Sequence, residues 1–450
     1  MTGAATTTLA QQFAQRCCGD WAGQFDGSQR DALRAIVRTA FIDTAACILA
    51  GRDEEPTRVI AGWARGRAGL PATSSTLFGA SVLDSASAAL VNGVAGHALD
   101  FDDVGLAGHP SVVLVPALLA EHERSGIGGF ALVQAYAKGY AVWGELQRRM
   151  QVSLHARGWH PSAVFGVLAV AAAVGALRGL DERRLANALG IAASLASGVI
   201  ANFGSMTKPL HLGRAAEAGI HAVELAQAGL DASPDALDAR AGLLVALAGD
   251  PARVDLASAV PEDLAATLLR LRPGIKKYPV CYAAHRVVDG VLDLRERHGI
   301  APGDVQAVQA SISETTAGVL RQHAPRTVME ARFSLEFAVA TALARGKLGI
   351  AEVSADTLQD PAIQALMPRV QTRTVQTSCP IEPSFAYTDE VVLALRNGST
   401  LASGPIRFAR GHAELPLTDA QVREKLFACV RPNEEALARG VLQRVQAALA

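Results

Sequence analysis

The sequence predicts a mainly α protein, with a large all-α helical domain formed by both chain ends and a smaller α+β lid domain inserted late. Three observations point there. Apolar residues recur at helical spacing in one segment after another up to about residue 260. Half of the 450 residues are hydrophobic but only 5% are aromatic, so the core must be built from small aliphatics that favour closely packed helices. Between about 305 and 406 the pattern turns to alternation around Asn397-Gly398, a strong signal for a two-residue hairpin turn. The expected division is 1–270 with 408–450 for the helical domain and 271–407 for the α+β domain.

Ser28 to Gly51 carries the clearest helical pattern, with Ser28 and Asp31 as its start, Leu33, Ile36, Val37, Ala40, Phe41, Ala45, Ile48 and Leu49 on one face, and Gly51 as its stop. Further helices are expected at about 85–99, 111–124, 129–150, 161–178, 182–199 and 209–229, with no convincing strand among them. Gly166 and Gly175, set among alanines, suggest close helix packing; nothing fits a P-loop or a dinucleotide fingerprint. The character changes near Leu271-Arg272-Pro273-Gly274. Val305 to Ile312 alternates like a strand, Thr327 to Lys347 reads as one helix, and Val391–Leu395 and Thr400–Ile406 flank the hairpin turn. Thr418 to Gln421 makes a capping box that returns the chain to helix.

Composition excludes several classes. With 42 basic and 43 acidic residues and no long run of either sign, neither nucleic acid nor an anionic membrane is an expected partner. The most apolar run, Ala163 to Leu177, is short of a membrane span and ends at Arg178, and no apolar core follows a charged start as in a secretory signal. The six cysteines (Cys17, Cys18, Cys47, Cys281, Cys379 and Cys429) form no C-x-x-C pair, which argues against a zinc ribbon or disulfide framework and for a reducing cytoplasm.

The polar groups are concentrated. His97-Ala98-Leu99-Asp100-Phe101-Asp102-Asp103 is followed by His109-Pro110-Ser111, in a chain that is otherwise bland and apolar. Asp100 and Asp103 lie one helical turn apart, whereas Asp102 points elsewhere, which suits a helix end. Three times an ionisable residue stands directly before a proline that opens an apolar helix: His109-Pro110, His160-Pro161 and Lys208-Pro209. The positive end of the helix dipole discourages a histidine there from protonating and attracts carboxylates, so three such ends converging would hold an anion beside a base. The plain alternative is three ordinary helix starts. His211, one turn beyond Lys208, reads equally well as a core or a surface residue. A fourth stretch, Lys276-Lys277-Tyr278-Pro279-Val280-Cys281-Tyr282-Ala283-Ala284-His285, gathers charge, donors, a thiol and an imidazole.

These stretches together resemble the MmgE/PrpD family, which includes 2-methylcitrate dehydratase, cis-aconitate decarboxylase and iminodisuccinate epimerase. The resemblance rests on HALDFDD at 97–103, GHPS at 108–111, GWHPS at 158–162, NFGSMTKPLHLGRAAEAG at 202–219, KKYPVCYAAH at 276–285 and EARFSLEFAVA at 330–340. It implies a small di- or tricarboxylate ligand, a homodimer, and neither a metal nor an organic cofactor. Asp100, His109, His160, Lys208 and Lys276 match cleft residues of decarboxylase-like members. Val104 replaces a threonine there, Cys281 a histidine and Phe337 a tyrosine, and these departures from the pattern count against decarboxylation of cis-aconitate itself.

The expected activity is that of a dehydratase-like lyase on a hydroxy-polycarboxylate, by proton abstraction next to a carboxylate. His160 would be the base, His109 its acid partner, and Asp100 an orienting group. Lys208, Lys276 and Lys277 would clamp carboxylates, with His285 and Asp103 also facing substrate. The alternative is an epimerase of a dicarboxylate such as iminodisuccinate, in which Cys281 opposes an imidazole; as a plain residue Cys281 is a small buried hydrophobe. Two further readings fit the sequence less well. DFDD as a magnesium site lacks a second acidic motif, and a non-catalytic helical scaffold leaves the recurrent His/Lys-Pro starts unexplained.

Overall fold

The computed structural model describes residues 7–66, 71–79, 82–381 and 385–450. Helix makes up 58% and strand 9%, so the chain is mainly α. The backbone divides into two compact units, Met1–Pro273 with Val422–Ala450, and Gly274–Gln421.

The first unit holds α1 (Leu9–Cys18), α2 (Gly27–Gly51), α3 (Glu55–Arg65), α4 (Ser85–His97), α5 (Pro110–Ser125), α6 (Phe130–Arg149), α7 (Pro161–Leu177), α8 (Glu182–Leu195) and α9 (Thr207–Gln227). Their starts follow local chemistry. Asp26 and Gln29, not Ser28 and Asp31, form the box that opens α2: the Asp26 carboxylate accepts from the Gln29 N–H at 2.8 Å and the Gln29 amide oxygen from the Asp26 N–H at 3.1 Å. Prolines 110 and 161 occupy the first turn of α5 and α7, with His109 and His160 as the capping residues. α9 begins at Thr207, earlier than the proline suggested, because the Ser205 hydroxyl accepts the Thr207 N–H; Lys208 therefore lies inside the first turn. α8 stops at Leu195, short of the expected 199, where Ala196 turns extended.

α7 is buried along nearly its whole length, as expected of a helix that is apolar all round at the centre of a domain. No helix among the described residues is long and apolar enough to cross a membrane. Close approach is set by glycine. A Cβ on Gly213 of α9 would lie 2.3 Å from the Leu90 carbonyl oxygen, and one on Gly93 of α4 would lie 2.8 Å from the Gly213 Cα, so these two helices touch backbone to backbone. Gly166 and Gly175 in α7 play the same part: a Cβ there would meet Val113 at 3.0 Å and Leu185 at 2.6 Å. One feature departs from the all-helical expectation: Ser74–Ser75 and Val82–Leu83 form a short antiparallel pair.

The second unit is built on a four-stranded sheet of β1 (Val305–Ser313), β2 (Val370–Val375), β3 (Glu390–Leu395) and β4 (Thr400–Ala402), in the order β2-β1-β3-β4. β1 pairs parallel with β2 and antiparallel with β3, and the β3–β4 hairpin turns at Gly398, whose φ is +87°. Val305, Val308, Ala310 and Ile312 of β1 enter a core with Val287, Val291, Phe337, Val339, Val391 and Leu393. Helices α10 (His285–His298) and α11 (Leu335–Arg345) supply several of these side chains. The helix expected over 327–347 is two: Val328–Ala331, then α11, which restarts where the Ser334 hydroxyl caps the Phe337 N–H at 3.1 Å. The chain re-enters the first unit through α12 (Asp419–Ala428), opened by the Thr418/Gln421 box, and ends in α13 (Glu435–Leu449).

Candidate active site

α4 runs out at His97 and α5 begins at Pro110, and the loop between them has an unusual backbone. Asp100, Leu106 and Ala107, with φ of +53°, +50° and +58°, are the non-glycine residues in the left-handed region among those described. Gly105 and Gly108 exchange both backbone hydrogen bonds, at 3.0 and 2.8 Å, closing a tight turn over Leu106-Ala107. Such strain persists only where neighbours enforce it, and it clusters at functional sites.

Asp102 is fully buried between two imidazoles. Its carboxylate accepts from His97 Nδ1 at 2.9 and 3.0 Å and faces His109 Nδ1 at 3.2 Å. Burial pushes the carboxyl up, but the two imidazoles hold it well below the usual carboxylate range. His97 is lowered to about 4, by burial against the attraction of Asp102, so it is neutral and carries its proton on Nδ1. His109 Nδ1 lies 2.7 Å from the Asp103 carbonyl oxygen, which only accepts, so this nitrogen also bears the hydrogen. The ring centroids of His97 and His109 are 4.7 Å apart, and those of His97 and His160 6.1 Å.

His160, at the mouth of α7, is 1% exposed, and its Nδ1 lies 3.1 Å from Nδ1 of His211 on α9. Burial, then His97, His109, Lys208 and His211, hold it far below the ordinary imidazole range. Phe203 stands edge-on to the His160 ring at 4.9 Å, with the Lys208 ammonium over its face at 5.3 Å. Lys208 Nζ donates to Asp100 Oδ1 at 2.7 Å, both side chains 13% exposed. Asp100, His109, His160 and Lys208 are therefore brought together from three helix mouths and one strained loop. Asp103 is placed differently. Its carboxylate is wholly buried and accepts from the Ser111 N–H (3.1 Å to each oxygen) and hydroxyl (2.7 Å), which ties the loop to the start of α5.

Lys276, Lys277, Cys281 and His285 belong to the second unit. Lys276 is buried, and Lys277 Nζ lies 5.5 Å over the Tyr278 ring. His285 packs between Tyr278 and Tyr282, each centroid 5.1 Å away, with Nε2 3.2 Å from the Val280 carbonyl. Cys281 caps a short 3-10 turn and packs into the apolar core of that unit.

Sequence reasoning left out His97, Asp102 and Phe203 as site residues and gave His211 no role. The signal for His211 was present: a spacing of three from Lys208 puts both on one face of α9. His97 and Asp102 straddle a helix end, where no periodicity relates them.

His97, Asp102 and His109 also make the metal-ligand-like cluster found among the described residues, their donor atoms within 4.8 Å of one another. A divalent ion needs bare nitrogen lone pairs at about 2.0–2.1 Å. Both Nδ1 atoms instead carry hydrogens directed at oxygen, so the hydrogen bonds account for the cluster as it stands.

Comparison with known proteins covers nearly the same ground. Residues 19–254 match the model of the MmgE/PrpD N-terminal domain and residues 278–448 that of the C-terminal domain. The chain is 30% identical to the cis-aconitate decarboxylase of Mus musculus over 380 residues, which is 79% of this chain and 74% of that protein. It is 29% identical to the Homo sapiens enzyme of the same name, over 76% and 72% of the two chains. A cis-aconitate decarboxylase-like protein of Aspergillus oryzae is 24% identical, over 75% and 74%. The two domain matches span the loop, the three helix mouths and the second unit alike, and the chain belongs to the MmgE/PrpD family.

Proposed function

We propose that this chain is a lyase of small polycarboxylates that takes a proton from the carbon next to a carboxylate and expels water. One observation carries the reading: the imidazoles at two helix mouths, His160 buried and His109 half-buried, stand beside the Lys208 ammonium in a single cluster. The ammonium and the positive ends of the helix dipoles suit a carboxylate. His160, kept neutral by burial, suits the base.

In this mechanism a ring nitrogen of His160 takes the proton. The electron pair left on carbon spreads into the adjacent carboxylate, where Lys208 offsets the growing charge, and hydroxide leaves from the next carbon with a proton from His109. Asp102 faces His109 Nδ1 at 3.2 Å and supplies the counter-charge for its protonated form. Asp100 aims Lys208, and Asp103 holds the loop rather than the ligand.

The names of the relatives support a carboxylate-directed lyase. Decarboxylation of cis-aconitate is disfavoured by Val104, Cys281 and Phe337, which stand where a threonine, a histidine and a tyrosine are expected. Cys281, packed among apolar side chains, does not favour the two-base epimerase. The test is incubation with 2-methylcitrate, cis-aconitate and iminodisuccinate in D2O, followed by NMR and ultraviolet absorption. Alkene formation from the hydroxy acid, falling at least ~100-fold in His160→Gln, is expected. Deuterium uptake without alkene would make the protein an epimerase, and release of carbon dioxide a decarboxylase; unchanged turnover in His160→Gln would remove the proposed base.

A further inference from the structure

We propose that His211 is a positioning residue for His160: it accepts the His160 Nδ1–H and so keeps Nε2 bare to receive a proton. The inference rests on the reading of His160 as the base. The two Nδ1 atoms are 3.1 Å apart. That spacing admits one hydrogen between them and excludes two facing N–H groups.

Both rings are buried, His160 at 1% and His211 at 8% exposure, and burial together with Lys208 disfavours protonation of either. The neutral pair then has two arrangements. If His211 donates, His160 carries its only hydrogen on Nε2 and has no lone pair left for substrate. If His160 donates, Nε2 is bare. Only the second arrangement survives catalysis, because imidazolium has N–H on both nitrogens and Nδ1–H then needs an acceptor. The incoming proton stays on His160 Nε2, and the charge is shared through Nδ1–H···Nδ1 with no transfer to His211.

A second observation shows that the pair is built rather than incidental. The segment between α8 and α9 meets the His160 backbone and the His211 ring at Gly198, whose φ is +135°. The Gly198 carbonyl accepts the backbone N–H of His160 at 3.0 Å. A Cβ on Gly198 would lie 3.4 Å from His211 Cγ and 2.5 Å from Ala163 Cβ, so this close fit needs glycine. Phe203, eight residues before His211, packs against His160 with ring centroids 4.9 Å apart. His160 is thus fixed at its backbone, by Phe203 beside its ring, and at Nδ1.

The experiment uses full-length protein labelled with 15N-histidine, and long-range 1H–15N correlation assigns the tautomer of each ring. His160, identified by the signal lost in His160→Gln, is expected as the Nδ1–H tautomer. In His211→Leu this single tautomer gives way to a mixture, kcat falls roughly 100-fold and KM moves less than about threefold. His211→Asn, whose side-chain oxygen can stand near the place of Nδ1, recovers kcat to within about tenfold of wild type. An Nε2–H tautomer in the wild type overturns the proposal. So does an unchanged tautomer and kcat in His211→Leu, or equal impairment of both variants with equally lowered melting temperatures. Full activity of His160→Gln overturns the parent reading and the catalytic half of this one, while the wild-type spectrum still decides the pairing.

Discussion

Asp103 offers the sharpest test of how the loop is held. Its carboxyl is wholly buried and meets Ser111 through the N–H, shared between both oxygens, and through the hydroxyl, which also meets Tyr136 Oη at 2.7 Å. Burial, then the neighbouring Asp102 charge, pushes it from 3.8 up to about 7. A raised acid binds its proton more tightly folded than unfolded, so its contribution to stability is full below the unfolded value and is lost as pH rises through about 7. At 1.36 kcal/mol per pH unit the loss has a ceiling of roughly 4 kcal/mol. Asp103→Asn imitates the protonated acid, with an oxygen to accept from the Ser111 N–H and an amide to donate to its hydroxyl, and it has no charge to bury. The variant should melt close to wild type at about pH 5 and above it at about pH 8.5. Between those two pH values about two pH units of the loss accrue, roughly 2.7 kcal/mol, so at about 2 °C per kcal/mol for a domain of this size the gap should open by roughly 5 °C. Melting followed by circular dichroism across that range decides it. A difference that does not change with pH means that Asp103 is ionised throughout, and the account of the loop as held by a neutral acid fails.

Two further predictions follow from the same region. Lys425 Nζ lies 2.6 Å from the buried Asp43, donates to the Phe101 carbonyl at 2.8 Å and sits 3.7 Å over the Phe101 ring. Lys425→Met takes the ammonium away from a buried carboxylate and should destabilise by about 3–5 kcal/mol, whereas the double variant Asp43→Leu/Lys425→Met should regain most of that in a melting assay; a double variant as unstable as the single one would remove the ion pair from the explanation. Prolonged treatment with a chelator should leave turnover and melting temperature unchanged, because both Nδ1 atoms of the His97–Asp102–His109 cluster carry hydrogens. Loss of activity restored by a divalent cation would make that cluster a metal site.

The helices were legible because their caps and prolines are local. His109-Pro110 and His160-Pro161 announce α5 and α7, and the capping and first-turn positions follow from residues adjacent in sequence. β2 was not legible: its residues VQTRTV are mostly exposed at the sheet edge, so no alternation marks them, and only pairing with β1 makes them a strand. The break in the helix expected over 327–347 was hidden in a single serine that can cap as well as continue. The site divides in the same way. Lys208, His109 and His160 were found from their place before prolines. The pairing of His160 with His211 depends on α7 and α9 lying against each other, and that contact is long-range.

The strained loop explains why the helical unit draws on both chain ends. Left-handed backbone is unfavourable by roughly 1–2 kcal/mol for each non-glycine residue, and the loop holds three such residues within eight positions. Asp100 keeps a side chain there because its carboxylate is bonded to Lys208, which a glycine could not supply. Leu106 keeps one because it packs beside Gly144 on α6; nothing in the structure explains Ala107. Most of the compensation comes from outside the loop. The carbonyl of Phe101 is held by Lys425 of α12, that of Asp103 by His109, and that of Leu106 by the Trp143 indole of α6 at 3.1 Å. Two carbonyls of one loop are thus fixed by two other helices, one of them beyond residue 421, and a third by the loop's own closing residue His109. Without the returning C-terminal segment the Phe101 carbonyl would lose its ammonium and Asp43 its counter-charge, and the turn that aims Asp100 at Lys208 would relax toward ordinary right-handed backbone.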